Sequence, residues 1–157
     1  MKFSAQEEYG LRCLLRIARS GESMTIPEIA RFEGLSQTHV AKLLMILRKD
    51  GFIASMRGQA GGYVLSRPAS DINVGDVLAC LGGKLYDDDF CAKHAGQHII
   101  CQHAVDCSVK SLWQVIQGAV DHVLEGLSLA DMISKGDALS NVTFMSTPRK
   151  AEAGALR

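Results

Sequence analysis

Thr25-Ile26-Pro27-Glu28-Ile29-Ala30-Arg31-Phe32-Glu33-Gly34-Leu35-Ser36-Gln37-Thr38-His39-Val40-Ala41-Lys42-Leu43-Leu44 holds two helix starts with a helix stop between them. Thr25 with Glu28 three residues on forms a capping box, in which each side chain satisfies a backbone N–H that the first helical turn leaves without a partner. Pro27 stands in that first turn, where a missing N–H is tolerated. The helix so opened runs to about Phe32, and Gly34 breaks it. Ser36 caps the next, whose apolar side is Val40, Leu43, Leu44, Ile46 and Leu47 and which Asp50-Gly51 ends. Two short helices joined across Arg31–Ser36 by a glycine-containing turn have the form of a helix-turn-helix.

The flanking sequence extends this unit on both sides. Upstream, Ser4 and Glu7 form a second capping box, followed by Tyr9, Leu11, Leu14, Leu15, Ile17 and Ala18 at helical spacing and a stop at Ser20-Gly21. Downstream, Phe52–Arg57 reads as a short strand, Gly58-Gln59-Ala60-Gly61-Gly62 as a turn and Tyr63–Ser66 as a second strand, closed by Arg67-Pro68. Asn73 caps a helix expected to reach about Cys80. Residues 82–107 read as a loop. Leu112, Val115, Ile116, Ala119, Val120, Val123, Leu124 and Leu127 then mark a long amphipathic helix, and Ser128 starts a last short one. The expected fold is mainly α with a small β-hairpin wing: a winged helix-turn-helix over 1–68, a connecting helix and cysteine loop over 69–107, a dimerisation helix and short terminal helix over 108–135, and a tail over 136–157.

The second helix of such a unit lies in the major groove of DNA and offers its N-terminal side chains to base edges. Here those are Ser36, Gln37, Thr38, His39 and Lys42. Gln37 is suited to bidentate pairing with adenine, and Ser36 and Thr38 to phosphates or bases. The wing tip is small and basic. Arg57 suits a narrow minor groove, with Gly61 and Gly62 permitting close approach.

The charge balance agrees with a segregated molecule. The 157 residues carry 17 basic and 17 acidic side chains, a formal net charge of zero. Yet 1–70 hold the excess of Lys and Arg and 71–139 the excess of Asp and Glu, a basic head on an acidic remainder. With 47% hydrophobic residues the chain has material for a core. No apolar run is long enough for a membrane span, and Met1–Glu8 lacks a signal-peptide core, so a cytoplasmic protein is expected. Without a Cys-x-x-Cys pair, a glycine-rich nucleotide loop or a Ser/His/Asp set, neither an enzyme nor a small-molecule substrate is expected.

Five cysteines in a reducing compartment point to metal or redox chemistry rather than to disulfides. Cys91, Cys101 and Cys107 share one segment at unequal spacing. Thiolates are soft ligands, and an iron–sulfur cluster, larger than one ion, tolerates wider spacing than a zinc knuckle does. Three thiolates leave one ligand to be found among His94, His98, His103, Glu7 and Glu8. A thiol-redox regulator without a cluster and a zinc-binding structural adaptor remain alternatives. Cys13 and Cys80 fall on apolar helix faces and read as buried small hydrophobes.

These residues together resemble a known family. Met1-Lys2-Phe3-Ser4, Ile26–Ala30, Val40–Leu44, the wing Arg57–Tyr63, Asp71–Val77 and Ser128–Ile133 are similar to the Rrf-type regulators, the family of IscR, NsrR and RirA. The resemblance implies a homodimeric repressor or activator on double-stranded DNA, paired through its long helix. It also implies a 2Fe–2S or 4Fe–4S cluster on Cys91, Cys101 and Cys107, through which iron, cluster supply, nitric oxide or redox state is sensed. IscR-like members carry a histidine three residues after the last cysteine, where this chain has Lys110. NsrR-like members use an N-terminal carboxylate of the partner subunit, and Glu8 occupies that place, which makes Glu8 the expected fourth ligand. Ala41 stands where IscR has a recognition-helix glutamate, so that protein's dual DNA preference is not carried over.

Overall fold

The computed structural model describes residues 4–58, 61–87, 89–95 and 107–134. The expected mainly helical architecture with one hairpin is what it shows. Helix α1 (Ala5–Ser20) starts at Ser4, whose hydroxyl accepts the Glu7 N–H while Glu7 reaches back. Helix α2 (Ile26–Glu33) starts at Thr25 by the same device and ends at Gly34, whose φ of 67° is left-handed and open to glycine at little cost. Helix α3 (Gln37–Lys49) starts at Ser36.

The apolar stripes of these three helices meet in one core. Cys13, Leu14 and Ile17 of α1, Ile29 and Ala30 of α2, and Val40, Leu43, Leu44 and Leu47 of α3 are buried together. Burying a Leu or Ile side chain is worth about 1.5–3 kcal/mol, so this stripe supplies most of the cohesion of the head. The same core continues past the hairpin. Ile72, Val77 and Leu81 from helix α4 and the chain leading into it, and Leu129 from the last helix, belong to it.

Strands β1 (Ile53–Met56) and β2 (Gly62–Leu65) pair antiparallel, with Ile53 opposite Leu65 and Met56 opposite Gly62. A third chain segment joins them: Met24 bridges to Tyr63, with N–H to O distances of 3.0 and 2.8 Å in the two directions. Strand β1 is thus shorter than the expected 52–57 and β2 begins one residue before the expected 63–66, and Met24 serves as an extra edge that the local pattern did not signal.

Helix α4 (Val74–Gly82) follows a 3-10 turn at Ala69–Asp71. Segment 82–107, expected as a loop, contains a one-turn helix α5 (Phe90–Lys93), which four residues are too few to reveal by periodicity. Helix α6 (Ser108–Leu124) is the long amphipathic helix, and α7 (Leu129–Ser134) starts from a box between Ser128 and Asp131. Among the described residues no helix is long and apolar enough to cross a membrane. Cys101, His98, His103, Gln59, Ala60 and the expected tail 136–157 lie outside the described residues.

Asn73 joins the two ends of the second half. Its Oδ1 accepts the Gly75 and Asp76 N–H groups at 2.7 and 3.3 Å, capping α4. Its Nδ2 donates to the Leu124 and Glu125 carbonyls at 2.9 and 3.1 Å, capping the C-terminus of α6. One side chain therefore serves orphan donors of one helix and orphan acceptors of another. It fixes the C-terminal end of α6 to the head.

Candidate nucleic-acid interface and cysteine segment

Helix α3 divides cleanly into two faces. Val40, Leu43, Leu44 and Leu47 point into the core, leaving Gln37, Thr38, Lys42, Met45 and Lys49 exposed. Two of the expected contact residues also have local structural roles. The Ser36 hydroxyl accepts the His39 N–H at 3.2 Å as the helix cap. His39 stands apart from the exposed set: it is half-buried, edge-on to Tyr9 of α1 at 5.6 Å between ring centroids. Met45, which the sequence reading passed over, is 60% exposed. A signal for it existed, since it falls off the helical face made by Val40, Leu44 and Leu47.

The turn between α2 and α3 is fastened from α1. Glu33, whose side chain is only 8% exposed, receives Arg12 Nε at 3.0 Å and Arg16 Nε at 2.8 Å, and Arg12 also donates to the Glu33 carbonyl at 2.9 Å. Arg12 and Arg16 are one helical turn apart, which puts both guanidiniums over the same carboxylate. The cluster ties the end of α2, just before the turn into α3, to α1.

Arg57 is exposed at the end of β1. Gly61 donates its N–H to the Gly58 carbonyl at 2.9 Å, closing the tip. A Cβ on Gly62 would lie 2.7 Å from the Met24 carbonyl oxygen, so the close strand crossing requires glycine there. At the base of the wing, Arg67 donates Nη1 to the Gly51 carbonyl at 3.1 Å and stacks over Phe52. The Ser66 hydroxyl donates to the same carbonyl.

Cys91 sits in α5 and Cys107 is the N-cap of α6; both are half-buried and free. The Cys107 Sγ accepts the Lys110 N–H at 3.3 Å. Position 110 thus meets the sulfur through its backbone rather than its side chain. N–H···S bonds of this kind are among the groups that tune cluster-held sulfur. Cys91 and Cys107 are donors of the type a thiolate-ligated group takes, and Cys101 lies outside the described residues. Among the described residues no three Cys, His, Asp or Glu side chains converge on a metal position. Glu8 is exposed in the first turn of α1, whereas Glu7 is engaged by Ser4 through both N–H and hydroxyl at 2.7 and 2.6 Å. His94 donates Nδ1 to the Phe90 carbonyl at 2.8 Å.

Helix α5 is mounted on α6. Phe90 lies between Tyr86, His94 and Trp113, with centroid distances of 5.3, 4.1 and 6.3 Å. Gln117, 8% exposed, accepts the Tyr86 N–H at 3.1 Å and donates to Asp121 at 2.8 Å, and Asp121 meets Lys84 at 3.4 Å. The other two thiols are inert by comparison. Burial, with the Glu33 charge adding, pushes the Cys13 thiol up to about 11. Burial and the Asp50 carboxylate that it hydrogen-bonds push Cys80 up to about 12.

The sequence profile of the Rrf2 family, described as iron-dependent transcriptional regulators, matches residues 3–135. This chain belongs to the Rrf2 family. Protein rrf2 of Nitratidesulfovibrio vulgaris is 33% identical over 85% of the chain and 87% of its own length. Among solved structures, IscR of T. potens superposes with a TM-score of 0.67 at 30% identity, covering 91% of this chain and 92% of that one. CymR, the global cysteine regulator of B. subtilis, superposes with a TM-score of 0.64 at 27% identity, covering 85% and 97%. The Rrf2 relatives that carry a functional name are transcriptional regulators, not enzymes, and this chain is a transcriptional regulator of their winged-helix fold.

Proposed function

We propose that this Rrf2-family protein is a homodimeric, iron–sulfur-dependent regulator, probing DNA with α3 and its wing and sensing through Cys91, Cys101 and Cys107. The observation that carries the reading is that both described thiols of the set bear on α6. Cys107 caps its first turn, and Cys91 is carried on α5, which Phe90 and Gln117 fasten to the same helix.

Helix α6 offers a seam for a second copy. Val109, Leu112, Ile116, Ala119 and Val123 recur at intervals of three and four, the spacing of a coiled-coil interface. Val109, Leu112 and Val115 are 60, 54 and 70% exposed, an apolar load that a lone helix leaves in water. An apolar groove of about 680 Å³ between α4 and α6, lined by Leu78, Leu85, Ile116 and Val120, extends that face.

In this reading the two ends of α6 have different duties. Asn73 ties the C-terminal end to the head. Cys107 governs the N-terminal end. Cys91, Cys101 and Cys107, with Glu8 of the partner subunit as fourth ligand, would hold a 2Fe–2S or 4Fe–4S cluster, which would supply a cross-link sensitive to iron shortage and oxidation. The residues of α5 and the α6 cap then hold or release the first turns of α6. The pairing of two α6 helices sets the separation of two α3 helices, which must match half-sites about one DNA turn apart. In the groove, Ser36, Gln37, Thr38, His39 and Lys42 form the recognition end, with His39 positioning α3 on Tyr9. Arg57, on a tip shaped by Gly61 and Gly62, reaches the minor groove.

The test is anaerobic purification from iron-replete cells. The wild type is expected to be coloured, with iron and acid-labile sulfide in cluster proportion. Cys101→Ala is expected to lose both and to change operator affinity. About one zinc per chain without iron would establish a structural adaptor instead. Metal-free protein whose DNA affinity follows thiol oxidation would establish a cluster-free redox regulator.

A further inference from the structure

We infer that Met45 is a specificity-determining residue, reading the C5-methyl groups of thymine in the major groove alongside Thr38. The inference rests on the DNA-binding reading of α3 and adds to it the class of base that is read.

Thr38, Ala41, Lys42 and Met45 stand at i, i+3, i+4 and i+7, a single face of α3 opposite the buried Val40, Leu44 and Leu47. Side chains at this spacing reach base edges when a recognition helix lies in the groove. Among the described residues Thr38, Lys42 and Met45 are exposed and Ala41 is half-buried, so the head leaves most of the face open. Lys42, with Lys49 one heptad further on the same side, gives the face a positive charge suited to a phosphate-walled groove. What such a groove offers to apolar atoms is the thymine methyl, which cytosine and the purines lack.

A 60% exposed Met in this position contributes nothing to the core. Its flexible thioether adapts to an irregular surface. Thr38 adds a methyl and Ala41 a small floor, so apart from the Thr38 hydroxyl and the Lys42 ammonium the stripe is apolar. It therefore favours thymine over cytosine by contact with the methyl that cytosine lacks.

The experiment begins by selecting high-affinity duplexes from a random double-stranded library with the full-length protein. Each selected thymine is then replaced singly by deoxyuridine, which removes only the methyl. At one or more positions per half-site the wild type is expected to lose about fourfold in affinity, the worth of burying one such group. Met45→Ala is expected to abolish that difference at its own position while melting at the wild-type temperature and binding non-specific duplex as before. Met45→Leu is expected to restore it. Indifference of the wild type to deoxyuridine at every thymine, or full discrimination retained in Met45→Ala, would overturn the Met45 assignment alone. A library from which no duplex is enriched would overturn the DNA-binding reading of α3 itself.

Discussion

Glu33 shows how one carboxylate positions a recognition helix. It is the shared acceptor of Arg12 and Arg16, and it sits at the end of α2 just before the turn. The guanidiniums are part-exposed, so solvent screens much of the attraction and the net value is modest. Glu33→Ala is expected to cost about 1–2 kcal/mol in urea unfolding and to weaken DNA binding beyond that loss. Stability equal to wild type would mean that the arginines exchange the carboxylate for water without consequence. The cysteines differ at the same scale. With Cys13 held at about 11 and Cys80 at about 12 against an ordinary 9.0, each is almost wholly protonated at pH 8. Iodoacetamide is expected to label Cys91 and Cys107 of the metal-free protein well before Cys13 and Cys80, as read by peptide mass spectrometry. The raised values also fix the sign of the alkaline response. Stability from these neutral thiols is present below pH 9 and is lost as pH rises through 11 to 12, because unfolding then releases protons that the fold retains. Equal labelling of all four thiols would contradict this.

Among the elements, α6 is held by Asn73 at its C-terminal end, by Gln117 in its middle and by the Phe90–Trp113 contact nearer its start. Gln117 is the buried one. Removing its amide strands the Tyr86 N–H and cuts the link to Asp121 and Lys84. Gln117→Leu is expected to lower local stability by about 1–3 kcal/mol, the cost of an unpaired buried donor. The expected signature is a red-shifted emission of Trp113, the single tryptophan, as Phe90 and α5 move off it, with helix content unchanged. An unaltered emission maximum would show that aromatic contacts alone seat α5.

The whole molecule consists of a head with a continuous core and a long helix that leaves much of its apolar face in water. In the proposed homodimer a second copy would cover that face. Leu112→Glu places a charge in the proposed seam while leaving the head core untouched. The expected result is a monomer by analytical ultracentrifugation, with wild-type circular dichroism and loss of tight binding to two-half-site DNA. A dimer that persists in Leu112→Glu would require another interface.

Local chemistry sufficed for the longer helices and the hairpin, though not for the one-turn α5. Ser4 with Glu7, Thr25 with Glu28, and Ser36 each sit within a turn of the helix they start, so boundaries of α1, α2 and α3 were legible before any packing was known. The wing was legible from its glycines, and the thiols worth suspecting from their shared segment. Long-range contact decided the rest. Met24 joins the wing across many residues of chain, Arg12 and Arg16 find Glu33 on another helix, and Asn73 serves α6 as well as α4. Residue order carries no sign of such pairings, because each is set by where rigid helices come to rest once their apolar faces are buried. The same burial turned His39 against Tyr9 and left Met45 in water, so the face that α3 offers to a groove was settled by packing and not by sequence position.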